Sequence, residues 1–290
     1  MSDERLDHAE TMAAPASGDA VQPSACLIEL SHDWIVLRAS ENVHHLLGES
    51  HVTLIDEPLG RFVQAQALHD LRNLFSRLSA TTGIARAYRV RLTDHAQLYD
   101  IAFQQRHERV LVEAVPSPVE GIGEALSAVG GLADGLAGES GSKLLDAAAR
   151  RMRALTAFDR VTLLVGEAKA TSDRTGVPFR AGANATLGDD FPALVSDAAL
   201  AGVPVFPRED DDSAVSIALL RAASAEQTAE LADRGFASTM RVPVMRAREA
   251  IGEFRLAHTK PLRPNFEVHA AAELFAQLFA MRLEIDRLKT

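Results

Sequence analysis

Two kinds of periodicity divide the chain. At the C-terminal end, Phe266, Ala270, Leu274, Leu278, Met281, Ile285 and Leu288 recur at three- and four-residue steps. That spacing predicts one long amphipathic helix, buried along this stripe and opened by Pro264-Asn265. Just before it, apolar-rich runs at 241–245 and 250–257 flank a charged turn and predict a hairpin. In the N-terminal half, residues 26–30 and 34–39 read as two strands around the Ser31–Asp33 turn. Ser40-Glu41-Asn42 then caps a short helix over 43–47, closed by Gly48. Residues 64–78 form a helix with Leu68, Leu71, Leu74, Phe75 and Leu78 inward. Three strands follow at 86–92, 98–105 and 109–115, with the clearest alternation at Tyr99-Ile101-Phe103.

Between these regions, residues 122–136 read as a helix carrying Gly123, Gly130, Gly131 and Gly135, suited to close approach by another helix. Each interior glycine costs about 1 kcal/mol against alanine, so packing must supply its stability. Residues 144–155 form a stronger helix and 160–165 a strand, followed by a loop-rich stretch to about residue 190. Further helices are expected at 192–200, 213–222 and 225–234, the last closed by Gly235, with a short strand at 203–206. Residues 1–19, rich in Ala, Ser, Asp and Glu, have no period and predict a mobile arm. Pro116 and Pro118 mark a boundary. The result is an α+β chain of two domains, each a central antiparallel sheet flanked by helices: 1–19 arm, 20–116 first domain, 117–290 second domain.

Composition narrows the function. The 290 residues are 47% hydrophobic and 24% charged, with a net charge of -10. Lys and Arg are dispersed, which disfavours nucleic acid as a partner. No apolar run approaches the ~20 residues of a membrane span, and the acidic start is no signal peptide, so the chain is expected to be cytoplasmic with no membrane partner. Cys26 is the only cysteine, which excludes an internal disulfide and a cysteine-built zinc site. His44-His45 face different directions, His258 and His269 lack a third ligand, and the acidic run 209–212, which could attract a divalent cation, reads as a solvated loop. No Ser/His/Asp set, phosphate-cradling loop or supported carboxylate pair is present, and an enzyme is not expected.

Certain short motifs carry a resemblance. Val21-Gln22-Pro23, Leu27-Ile28-Glu29-Leu30, Arg38-Ala39-Ser40-Glu41-Asn42 and Leu46-Leu47-Gly48 are similar to the opening of a bacterial phytochrome PAS domain. Phe158-Asp159-Arg160-Val161, Asp190-Phe191-Pro192, Leu220-Arg221-Ala222, Gly235-Phe236-Ala237-Ser238 and the Pro261–Pro264 stretch resemble the phytochrome GAF domain, in the family's order. The resemblance covers about residues 21–285. It implies PAS followed by GAF, without the third, tongue-bearing sensory domain or an output module.

The family's GAF domain holds a linear tetrapyrrole, attached in bacterial members through a cysteine of the N-terminal arm. Here the arm has none, and Cys26 reads as a small buried hydrophobe. By the resemblance, Asp190 and Pro192 match the Asp-Ile-Pro turn beside the pyrroles. Arg221 matches an arginine that pairs with a propionate, and Gln227 stands where the family has a histidine. His258 matches the second of a terminal histidine pair, whose first member is Ala257. Leu164, Ala199 and Glu230 replace tyrosines, and Val205 replaces the second propionate arginine. Bland readings stand beside these: Asp190 as a helix N-cap before Pro192, and Arg221 as a partner of Glu226 or Glu230.

The expected protein is therefore a phytochrome-like sensor that works through protein contacts, as a homodimer through its GAF helices with a separate effector in trans. It carries either no cofactor or a non-covalent biliverdin or other tetrapyrrole, haem included, in the GAF pocket. In the last helix, Phe275, Phe279 and Arg282 are read as surface beyond the buried stripe, available for that dimer. The alternative is a helix that only covers its own sheet.

Overall fold

The computed structural model describes residues 19–78, 83–119, 123–180, 188, 190–209 and 214–288; all but the last residue of the arm lies outside them. Strands β1 (Ala20–Val21), β2 (Cys26–Ser31) and β3 (Val36–Ser40) lead into the short helices α1 (His44–Leu47) and α2 (His51–Leu54). Helix α3 (Ala65–Leu78) precedes the meander β4 (Ala85–Val90), β5 (Tyr99–Arg106) and β6 (Arg109–Pro116). Gly48 ends α1 at φ +78°, a conformation open to glycine at no steric cost. Cys26, Ile28, Leu30, Ile101, Phe103, Val110 and Val112 alternate onto one face of this sheet, and α1–α3 cover it.

Helices α4 (Glu124–Asp134) and α5 (Gly141–Thr156), then β7 (Arg160–Val165), β8 (Ala168–Asp173), β9 (Leu194–Val195) and β10 (Val203–Phe206), follow. Helix α6 (Ala225–Arg234), the hairpin β11 (Ser238–Arg246) and β12 (Glu249–His258), and α7 (Phe266–Arg287) complete the chain. The second sheet runs β8-β7-β12-β11-β9, with α5 and α7 on one face. Asn265 caps α7 by accepting from the amides of Glu267 and Val268.

Several expectations are corrected. The helix over 192–200 does not form: Leu194 and Val195 pair with β11 as a strand, because both side chains are buried on opposite sides of that sheet. The stretch expected to be loop contains β8, whose alternation is weak because most of its residues are exposed. Residues 213–222 yield only a 3-10 turn at Ala214–Ile217. Added Cβ atoms at Gly130 and Gly131 would meet nothing within 4 Å, so these glycines serve no close approach inside the chain.

Helix α7 is turned over relative to the expected stripe. Phe266, Ala271, Ala272, Phe275, Ala276, Phe279, Ala280 and Leu283 are buried, whereas Leu274, Met281 and Ile285 are 40%, 64% and 48% exposed. The helix has two apolar faces. Alanines let the inner one approach β11 closely, while Phe275 and Phe279 ring-pack on Phe254. Arg282, expected on the surface, donates to the carbonyls of Leu136 and Glu139 and ties α7 to the α4–α5 connection.

The first sheet takes a strand from the second half of the chain. Its order is β1-β10-β3-β2-β6-β5-β4, with Val205 opposite Ser40 and Phe206 opposite Ala39. Residues 19–22 lie between two parts of one loop: Ala20 and Val21 pair with Pro204 and Val203, while the Ala222 amide donates to Ala20 O and the Gln22 amide to Leu220 O. Gln22 fills its side-chain valences there, donating to Leu194 O and accepting from the Ser196 amide. Arg38 of β3, 2% exposed, fixes this arrangement. It pairs with Asp19 and Glu29, lies 3.5 Å from Glu209 and donates to Pro207 O. Arg109 joins Glu29 and Glu209 at 2.6 and 2.7 Å.

Arg38→Ala removes the central cation from a buried charge cluster, leaving Arg109 to face Glu29 and Glu209 alone, a loss of about 3–5 kcal/mol. Urea unfolding followed by circular dichroism reads it, and a change below about 1 kcal/mol would contradict the central role of Arg38.

Candidate functional site

Three of the five expected site residues meet above the β9–β11 side of the second sheet. Gln227 sits in the first turn of α6, where Ser224 caps the helix and a capping box forms: Ser224 Oγ accepts from the Gln227 amide, and Gln227 Oε1 accepts from the Ser224 amide. The Gln227 Nε2 group donates to Asp190 Oδ2 at 2.9 Å and Asp190 O at 3.1 Å. Arg221 donates from Nη2 to the same carbonyl at 2.6 Å. The Asp190–Pro192 turn is thus held by two side chains from the 221–227 segment, and by Arg241 Nη1 on Phe191 O at 3.0 Å. No helix follows Asp190, so the N-cap reading of that residue has nothing to cap. Pro192 is buried beside it.

Arg221 is half-buried, and its ion pair with Glu226 or Glu230 is not formed; Glu230 pairs with Arg234 instead. Burial lowers the pKa of its guanidinium and Asp190 opposes that shift, yet an arginine stays charged under all ordinary conditions. It is a cation whose one described side-chain bond goes to a neutral carbonyl, and a forked guanidinium in that state suits a carboxylate. Gln227 is the opposite case. Both ends of its amide are committed to the capping box and to Asp190.

His258 stands apart from this trio. Its Nδ1 lies 3.0 Å from the Lys260 amide, and its Nε2 lies 3.5 Å from Asp159 Oδ2. Phe158 meets the ring edge-on at 6.2 Å. Burial alone would raise the pKa of the Asp159 carboxyl, but the Thr259 N–H and O–H, then His258 and Arg174, outweigh it and hold the carboxyl below its usual value. His258 therefore orders the strand end, away from Arg221.

Beneath the trio, Phe191, Val195, Ala198, Leu231, Phe236 and Ala257 form a small apolar cluster with Phe179 against it. Arg160, 7% exposed, pairs with Asp173 and stacks 4.0 Å over the Phe179 ring. Among the described residues, two buried donors at this face have no partner: Arg160 Nη1, and Oγ1 of Thr239, whose strand neighbours Val195 and Ala257 belong to the cluster. An orphaned buried donor is costly unless something completes it, so these two groups and Arg221 fit a ligand with carboxylate or carbonyl oxygens. Arg160 was visible in sequence only as part of Phe158–Val161, and Thr239 carried no signal of its own. Val205 is remote, buried in β10. A cavity of about 190 Å³ at the start of β11, lined by Val195, Thr239, Met240, Phe158 and Val268, touches none of the trio.

Cys26 is not placed for covalent attachment. The Cys26 thiol is buried in the first core, donates to Asn42 O at 3.3 Å, and is pushed up to about 12 by burial. A thiol that far from ionising is a poor nucleophile. Among the described residues, no cluster of three or more His, Cys, Asp or Glu side chains is placed to hold a metal, and no helix is long and apolar enough to cross a membrane.

Comparison with known proteins identifies the fold. A family model described as PAS fold matches residues 12–115. The chromophore-binding domain of RpBphP3, an unusual bacteriophytochrome from R. palustris, superposes with a TM-score of 0.74 at 18% identity, over 95% of this chain and 99% of that one. The chromophore-binding domain of Stigmatella aurantiaca phytochrome P1 superposes at 0.73 and 20% identity, over 90% of this chain and 95% of that one. Against a longer RpBphP3 structure the TM-score is 0.76 at 20% identity, with 93% of this chain and 59% of that one covered. No curated protein matches the sequence significantly. The chain has the PAS–GAF fold of bacteriophytochrome chromophore-binding domains.

Removing the Ser224 hydroxyl tests the brace of the trio. Ser224→Ala should cost about 1 kcal/mol in thermal unfolding, and it should loosen Gln227 from Asp190, read as faster exchange of the Gln227 amide. A stability unchanged within a few tenths would show that the cap does not hold α6.

Proposed function

We propose that the protein is a phytochrome-like PAS–GAF sensory module that acts by contact with other proteins, with any tetrapyrrole held without a covalent bond. The observation that carries the contact reading is the outer face of α7. Leu274, Leu278, Met281, Ile285 and Leu288 follow a 4-3-4-3 spacing, and four of the five are exposed. That is the seam of a helical bundle without its second half, because a/d positions at this spacing face a partner helix. Alongside it, α4 leaves Leu126 exposed and Gly130 and Gly131 open, so a second copy fits against the same surface. The module would then be a symmetric dimer, in which a small change in helix packing is passed to an effector in trans. Among the described residues no set supports turnover, and the module is read as a non-enzyme. Charge substitution on this seam, Met281→Glu with Ile285→Glu, should convert a dimer to a monomer in analytical ultracentrifugation while leaving the circular dichroism unchanged. A monomeric wild type would end this reading.

The second reading, a tetrapyrrole sensor, is favoured by Arg221 together with the unpartnered Thr239 and Arg160 donors. When bound, a bilin would supply the absorption of visible light. Arg221 would hold one carboxylate, Thr239 and Arg160 would offer further donors, and the Asp190–Pro192 turn would supply backbone oxygen beside the ring nitrogens. Gln227, fully engaged and unable to titrate, would supply no proton. Addition of biliverdin should therefore give a bound pigment that denaturation releases completely. Arg221→Ala should weaken binding roughly tenfold to a hundredfold, the value of a charged hydrogen bond, and Cys26→Ala should not change it. Pigment that stays on the denatured chain, or binding indifferent to Arg221, would sink this reading.

A further inference from the structure

Glu113 of β6 is almost completely buried, and it does not belong to the candidate site. Its side chain leaves the first sheet on the face that meets the second half of the chain, among Leu27, Ala102, Leu111 and Val115. Oε2 accepts from the Leu219 amide and Oε1 from the Leu220 amide, both at 2.8 Å. Gln104 of β5 donates to Oε2 at 3.3 Å. The next residue along the held segment is Arg221. The other edge of that segment grips the N-terminal strand, through Gln22 on Leu220 O and Ala20 on the Ala222 amide.

We propose that Glu113 is a proton-operated latch between the first sheet and the segment that carries Arg221. Ionised, it holds the amides of Leu219 and Leu220 by charge-assisted hydrogen bonds. Protonated, it keeps only neutral bonds and must find an acceptor for its own O–H, for which the Gln104 amide has to turn over. The segment then loosens, and Arg221 at its end moves with it.

The groups facing Glu113 are few. Gln104 approaches from β5, the two amides from the 219–220 turn, and Arg86 of β4 acts on it through its charge. Glu29, on the same face of β2, is occupied with Arg38 and Arg109. Burial is the largest influence and favours the neutral acid, while the two amides, Gln104 and Arg86 favour the anion; the balance brings the carboxyl to about 7. The neutral acid and the anion are thus both within reach near neutral pH, as a latch requires. Because this carboxyl holds its proton more tightly folded than unfolded, its contribution to stability is fully present below the ordinary carboxylate range. It is lost as pH rises through about 7.

The inference leans on the ligand reading only in giving Arg221 a carboxylate to hold. Its test uses the full-length, ligand-free protein, so failure of the latch and failure of ligand binding are seen separately. The probe is the proton. In a pH titration followed by NMR, the Leu219 and Leu220 amides, the Glu113 side-chain carboxyl and the Arg221 Nε–H should shift together, with one midpoint near 7. Glu113→Gln should flatten all of these curves. Gln104→Leu, which removes a donor to the anion, should raise the midpoint and keeps the test open where Glu113→Gln does not fold. Amide shifts that are flat across neutrality, a midpoint unmoved by Gln104→Leu, or an Arg221 signal that ignores the transition would each overturn the proposal.

Discussion

A charge buried with almost no exposure is the constraint on which this architecture turns. Arg38 cannot shed its proton, so its burial is tolerable only where carboxylates and carbonyls surround it. Those partners come from far apart in sequence: Asp19 ahead of the first strand, Glu29 on β2, and Pro207 and Glu209 beyond β10. Satisfying one guanidinium therefore brings together the start of the chain, the first sheet and a loop of the second half. Arg109 extends the cluster, and further along Arg106 on Ser216 and Glu113 on Leu219 and Leu220 continue the contact. The first sheet thus grips Pro207, Glu209, Ser216, Leu219 and Leu220 of that loop through polar side chains, beside an apolar cluster.

This polar seam explains what the sequence made legible and what it hid. Local elements with strong periods or caps, such as α5, α6, β7 and the β11–β12 hairpin, were readable because their determinants lie within a few residues. The strand at 194–195 was not, since Pro192 and the following alanines imitate a helix start while the pairing partner, β11, lies more than forty residues away. Nor was the partner of β10 readable, because strand periodicity says nothing about which sheet a strand joins. For α7 the period was right and the face wrong. Two apolar stripes share that helix, and a hydrophobicity pattern ranks leucine and methionine above alanine although alanine permits the closer approach.

At the candidate site the division is similar. Asp190, Arg221 and Gln227 were found through motif resemblance, and geometry brings Arg221 and Gln227 each within hydrogen-bonding distance of Asp190. Geometry also separates them by what they have left to offer: Gln227 is spent on a helix cap, while Arg221 keeps an unpaired charge. Thr239 and Arg160 emerged only from three-dimensional accounting of donors without acceptors. A side chain's type suggests a role, and the bonds it has already made decide whether that role is open.

The placement of β1 has a consequence for how the chain reaches this state. Among the described residues, every strand partner of Ala20 and Val21 lies at residues 203, 204 and 221. During synthesis the N-terminal strand must wait, unpaired, until some two hundred further residues have emerged. Contacts so distant close late and slowly, since the entropy of the intervening loop is lost before the pairing repays it. The meander β4–β6 and the hairpin β11–β12 can form from near neighbours, so the last assembly step joins β1 to residues some two hundred positions further along.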